Sequence, residues 1–149
     1  MTIETNGITL QLDRASSARA AGVTIDFIED GGGGFKIENP NRPPMVRETP
    51  PKELDALIKT GKITHVYDVR TPRERDLAAL PNTTLLDDGT LAEIEKLPRD
   101  TALAFMCHHG NRSRAAAEHV LKMGFKQVYN LTGGIDAWAK DFDPGVKRY

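Results

Sequence analysis

The chain has one cysteine, and it stands where an apolar run gives way to an amphipathic helical pattern: Ala102-Leu-Ala-Phe-Met-Cys107-His-His-Gly-Asn-Arg112-Ser113. A thiol at a strand-to-helix junction is a candidate nucleophile. Loop amides can converge on the sulfur, and the dipole of the following helix adds roughly half a positive charge; both favour thiolate over thiol. Cysteines so placed reach pKa values of ~3.5 to 7.5, against ~8.5 when free. Gly110 lets the backbone curl, and Asn111 tolerates unusual dihedrals better than most residues, so together they permit a cradle of inward amides. Arg112 supplies fixed charge and a planar fork of donors for holding the loop or an incoming anion. Ser113 is expected to cap the helix that follows.

Other polar residues invite a role and receive a weaker one. His108 and His109 suggest a metal, yet sequence neighbours seldom converge on one ion. They are expected to shape the rim and, if protonated, to add positive potential for an anionic donor. Asp68 and Arg70 fall at the C-terminal end of a strand, the edge where ligands bind in open parallel sheets. They are candidates for support, with Asp68 bracing loops and Arg70 pairing with a carboxylate. His65 and His119 read as scaffold. A lone cysteine excludes an intramolecular disulfide and any multi-thiolate zinc or iron–sulfur site within the chain, so neither metal nor cofactor is expected.

These residues need a frame, and the pattern around them supplies one. The 149 residues suit one ordinary domain with a small appendage. Asn39-Pro-Asn-Arg-Pro-Pro44 punctuates the chain strongly, dividing it into 1–44 and 45–149. Before it, Ile8–Leu12, Val23–Phe27 and Phe35–Glu38 alternate apolar and polar, the period of half-buried strands, so this part reads as β. The run Glu29-Asp-Gly-Gly-Gly-Gly34 between the last two reads as a hairpin loop. After the prolines, helical patterns (51–60, 72–80, 90–97, 112–123, 134–140) alternate with short apolar strands. Those strands are His65–Val69, Thr84–Leu86, Ala102–Met106, Gln127–Leu131 and a first one near Val46-Arg47. This is the signature of an α/β domain: an open, mainly parallel five-stranded sheet with helices on both faces, preceded by a small β-rich arm. Thr71-Pro-Arg-Glu74 offers a capping box, Gly124 a helix stop, and Ile135 with Trp138 a core-facing anchor.

With these residues in view, the chain resembles the rhodanese family. Cys107-His-His-Gly-Asn-Arg112 matches that family's active loop residue by residue. Pro51-Lys-Glu-Leu, Tyr67-Asp-Val-Arg-Thr-Pro-Arg-Glu-Arg75 and Leu131-Thr-Gly-Gly-Ile-Asp-Ala-Trp138 fall where its recurring segments fall. One departure is Ala78-Ala-Leu-Pro-Asn-Thr83, where the family commonly has Gly-His-Ile-Pro-Gly-Ala; that segment belongs mainly to the framework. Upstream, Gly22–Phe27 and Gly34–Asn41 resemble the later part of A-type iron–sulfur carriers, over about residues 7–41. The cysteine ligands of those carriers are absent, so cluster carriage does not transfer.

The resemblance implies a sulfurtransferase in which Cys107 takes sulfane sulfur from thiosulfate or a protein persulfide and passes it to a thiol, a protein acceptor or cyanide. Catalysis would rest on Cys107 and Arg112, with His108, His109, Gly110, Asn111 and Ser113 forming the substrate-binding loop. The alternative is a persulfide carrier in sulfur-cofactor or iron–sulfur trafficking with little activity on free thiosulfate. Rhodanese-fold phosphatases and arsenate reductases are a third possibility. They place five residues between cysteine and arginine; four stand here, a ring better fitted to one sulfur than to a phosphoryl group. The net charge of −1 gives no reason to expect nucleic acid or an anionic membrane as partner. No apolar run is long enough to span a bilayer and the start is not signal-like, so a cytoplasmic protein is expected, its oligomeric state open.

Overall fold

A computed structural model of the chain describes residues 2–5, 8–28 and 34–149. Its contacts divide into two compact units that meet in sequence between Pro43 and Pro44. In the first unit, β1 (Thr2–Thr5) pairs antiparallel with β2 (Ile8–Gln11), and β3 (Thr24–Ile28) with β4 (Gly34–Glu38). The register sets Ile25 opposite Ile37 and Phe27 opposite Phe35, whose rings meet edge to face at 5.3 Å. The predicted half-burial does not follow: Phe27 and Phe35 are 58% and 65% exposed. Nor is this unit wholly β. A helix, α1 (Arg14–Arg19), is nucleated by Asp13, whose carboxylate takes the Ser16 amide at 2.7 Å. Arg14-Ala-Ser-Ser-Ala-Arg19 has no apolar stripe, so periodicity could not announce it. The glycine-run expectation falls on residues 29–33, outside the described residues.

The second unit is an α/β layer structure. β5 (Arg47–Thr49), β6 (His65–Asp68), β7 (Thr84–Leu85), β8 (Ala102–Met106) and β9 (Gln127–Leu131) form one parallel sheet in the order β5-β9-β8-β6-β7. The connections are α2 (Pro51–Lys59), α3 (Pro72–Leu77), α4 (Asp88–Lys96) and α5 (Asn111–Lys122). After β9, α6 (Gly134–Ala137) widens into a π-helical turn over Trp138–Phe142, marked by the Asp143 amide bonding to the Trp138 carbonyl. Alternation along β8 builds both cores. Ala102, Ala104 and Met106 face Leu54, Ile135 and Trp138; Leu103 and Phe105 face Ile94, Ala117 and Val120. No helix among the described residues is long and apolar enough to cross a membrane.

One boundary shifts for a tertiary reason. The sequence predicts helix over 72–80, but α3 ends at Leu77. Ala78 is extended, and its carbonyl accepts from the buried Arg70 guanidinium at 2.8 Å. Four residues on, Asn82 takes a left-handed φ of 58° where the family pattern has its second glycine. Asparagine is among the few side chains that tolerate this conformation, which is how the altered segment keeps its turn.

Candidate active site

Cys107 emerges from the C-terminal end of β8, the central strand, so the sheet itself aims it. The neighbouring segment then grips the loop backbone. The Ile135 amide donates to the Cys107 carbonyl at 2.9 Å, and the Asp136 amide to that of His108 at 3.1 Å. This approach explains Gly133-Gly134: both have positive φ, and a Cβ on Gly134 would overlap those two carbonyls. Gly110 has φ +93°, and a side chain there would press on the Leu131 carbonyl. The curl of the loop is thus Gly110's alone, for Asn111 begins α5 in ordinary helical geometry, contrary to the freedom expected of it.

The sulfur sits on the floor of this loop, 1% exposed. It accepts from the Gly110 amide at 3.1 Å and from the Ser113 hydroxyl at 3.3 Å. Burial pushes the thiol up. Hydrogen bonds from the Ser113 hydroxyl and from the amides of Ser113, Gly110 and His109 outweigh it and leave the thiol below its ordinary range. Ser113 is therefore not the helix cap that the sequence suggests. Gly110 holds that position, and Ser113, one turn in and fully buried, turns its hydroxyl inward.

Behind Ser113 lie two residues the sequence did not single out. Its Oγ also donates to Asn130 Oδ1 at 2.6 Å, so Asn130 and the sulfur share the one hydroxyl proton, while Asn130 Nδ2 donates to Glu48 Oε2 and to the Gly110 carbonyl at 2.9 and 3.1 Å. Those two acceptors fix the amide so that its oxygen faces Ser113. Asn130 and Glu48 sit on β9 and β5, and no local motif links either to the cysteine.

The charged residues separate into two pairs. Asp68 and Arg70 form a bidentate ion pair with both side chains at 0% exposure: Arg70 Nε to Oδ1 at 3.0 Å and Nη2 to Oδ2 at 2.7 Å. Burial lowers the affinity of Arg70 for its proton, but bonds to Asp68 and Tyr149 reverse this and raise it overall. The pair braces rather than binds: Arg70 also donates to the carbonyls of Glu74 and Ala78 and to the Tyr149 hydroxyl. Arg112, at the loop, instead reaches Glu74, with Nη1 to Oε2 at 3.0 Å and Nη2 to Oε1 at 2.6 Å. Glu74 completes the capping box with Thr71 at the start of α3. The Arg112 guanidinium, above all, holds its carboxyl at about 2.

At the rim, His108 stacks between His109 and Tyr149, with ring centroids 4.0 and 4.4 Å away. Burial, then the neighbouring His109, lowers the His108 pKa and disfavours its charged form. His119 is exposed on α5, and His65 bonds Thr64 and stacks on Tyr67. No group of three metal-ligating side chains occurs among the described residues.

Comparison with known proteins agrees with this geometry. Residues 50–141 match the family model of the rhodanese-like domain. The chain is 32% identical over 93 residues to thiosulfate sulfurtransferase GlpE of Pseudomonas syringae, covering 62% of this chain and 86% of that one. It is 31% identical over 97 residues to the protein of that name from Pseudomonas fluorescens, covering 64% and 87%. The crystal structure of a rhodanese-related protein from Thermoplasma volcanium superposes with a TM-score of 0.54 at 33% identity, covering 68% of this chain and 97% of that one.

Proposed function

From the chain's membership of the rhodanese-like family, which with its relatives supports sulfurtransferase activity, we propose that it moves sulfane sulfur through a persulfide on Cys107. The observation that carries this reading is the sulfur's environment: a thiol held below its ordinary pKa by the Gly110 amide and the Ser113 hydroxyl. Only four residues separate it from Arg112.

In the first half-reaction the Cys107 thiolate attacks the outer sulfur of the donor. A sulfur–sulfur bond forms as the donor's own breaks, and its electron pair leaves with sulfite, from thiosulfate, or with a thiolate, from a protein persulfide. The same loop amides and hydroxyl that favour the thiolate supply the hydrogen-bond donors by which the negative charge of the persulfide would be stabilised. In the second half-reaction an acceptor thiolate, or cyanide, attacks that terminal sulfur and Cys107 departs as thiolate. No electrons are gained or lost overall, so no redox cofactor is needed. The amides of His109 and Gly110 serve the sulfur itself, and the half-exposed Arg112 is the charged side chain of the loop that the donor meets.

Intact mass after incubation with a donor tests the cycle. A gain of one sulfur atom is expected in the native chain, absent in Cys107→Ser and discharged by cyanide. No gain from thiosulfate or from a protein persulfide would overturn the reading. Gain from a protein persulfide with slow turnover on thiosulfate would instead favour the carrier reading.

A further inference from the structure

We propose that Glu74 is a positioning residue that selects the donor by charge. By holding Arg112 in a pair without net charge, it turns the site away from the thiosulfate dianion and toward a persulfide donor. The inference rests on the sulfurtransferase reading and narrows it.

The first observation is the strength of the pairing. Both Glu74 oxygens accept from Arg112, and Oε2 also accepts from the Thr71 amide and hydroxyl at 2.9 and 3.0 Å. The carboxylate is thus anchored from α3 and stays ionised at any physiological pH. Arg112 lies in the first turn of α5, the helix that follows the Cys107 loop, and the Cys107 thiolate is among the lesser groups that raise its pKa, after Glu74. Its charge is spent on Glu74.

The second observation is that the other guanidiniums near the loop are engaged too. Arg114 pairs with Glu118 at 3.2 Å and Glu48 at 3.6 Å, Arg148 with Asp136 at 2.8 Å, and Arg70 with the buried Asp68. Burial disfavours the charged form of His108. The loop amides and the α5 dipole, short-ranged and aimed at one sulfur, are left to attract a donor together with His109, which stacks on His108 at the rim. A free dianion must also face the Glu74 carboxylate, whereas a persulfide brings at most one charge.

Glu74→Gln separates charge from structure, because glutamine serves the capping box as glutamate does. Cys107 alkylation by iodoacetate and by iodoacetamide is measured at neutral pH and low salt. The two reagents are nearly isosteric, so loop opening and thiolate fraction move both rates, and their ratio isolates charge. In Glu74→Gln the iodoacetate/iodoacetamide ratio should rise roughly fivefold, the scale of one charge acting over several ångströms through partly hydrated protein. Arg112→Gln should lower the ratio, the double variant should return it toward the native value, and salt should shrink all three differences. With thiosulfate, Glu74→Gln should lower KM more than it changes kcat.

An unchanged or lower ratio in Glu74→Gln overturns the proposal. Alkylation requires no sulfur transfer, so failure of the native chain to form a persulfide with any donor would sink the functional reading separately. Normal persulfide formation with an unmoved ratio would sink this inference alone.

Discussion

Arg70 and Arg112 each meet a carboxylate through two short bonds at the same edge of the sheet, and their surroundings give them different work. The Asp68–Arg70 pair is shut away from water, and every remaining polar contact of Arg70 goes to protein: two carbonyls and the Tyr149 hydroxyl. In the Arg112–Glu74 pair the side chains are 49% and 21% exposed. Water screens such a pair, so it contributes little to folding, yet both partners stand where whatever approaches the loop meets them. Burial converts an ion pair into architecture, and exposure leaves it for function.

Removing one partner of the buried pair should give the largest effect. Arg70→Met leaves the buried Asp68 with no closer cation than Arg75, 3.9 Å away, and should cost about 3 kcal/mol in urea unfolding. A loss under about 1 kcal/mol would erase the contrast drawn here. Close behind is Gly134→Ala, which forces a methyl against the Cys107 and His108 carbonyls at φ +62°. About 3 kcal/mol of stability should be lost, with activity, showing that backbone contacts rather than Arg112 hold the loop.

Ser113→Ala should separate function from folding. Losing a hydrogen bond to a charged sulfur, worth about 1.5–3 kcal/mol, predicts a tenfold or greater fall in sulfur transfer. The thiolate absorbance of Cys107 should titrate at higher pH than in the native chain, and an unmoved titration would remove Ser113 from the site. Smallest is Glu74→Gln, expected to cost under about 1 kcal/mol near neutral pH. Glu74 has its folded pKa lowered from 4.5 to about 2. Its contribution is therefore present above pH 4.5 and lost as the pH falls toward 2. Acid-unfolding curves of the native and Glu74→Gln chains should accordingly converge at the acid end.

Much of this was legible in the chain itself. The sheet strands, the helices and the strand-to-helix setting of Cys107 follow from local period and from punctuation by proline and glycine. Thr71-Pro-Arg-Glu74 capped α3, and Gly124 stopped α5 in left-handed geometry just past its C-cap Met123, because such signals act within a few residues. Misreadings came where local preference met a tertiary competitor. Ser113 had the right type for a cap, but Gly110 held that position and Asn130, Gly110 and the sulfur drew the hydroxyl inward. The end of α3 moved because Arg70 claimed the Ala78 carbonyl.

What the amino-acid sequence determined by itself was the candidate nucleophile, its loop length and the α/β frame, since each is written within one contiguous stretch. Tertiary structure decided which distant groups meet. Asp68 and Arg70 are neighbours in sequence and the fold only buries their pair. Arg112, by contrast, takes Glu74 through the approach of α5 to α3, and Glu48 and Asn130 stand behind Ser113 because β5 and β9 lie side by side next to β8. Electrostatics and hydrogen bonding act across space, and separations of 17, 38 and 82 residues leave no local pattern from which those contacts could be read.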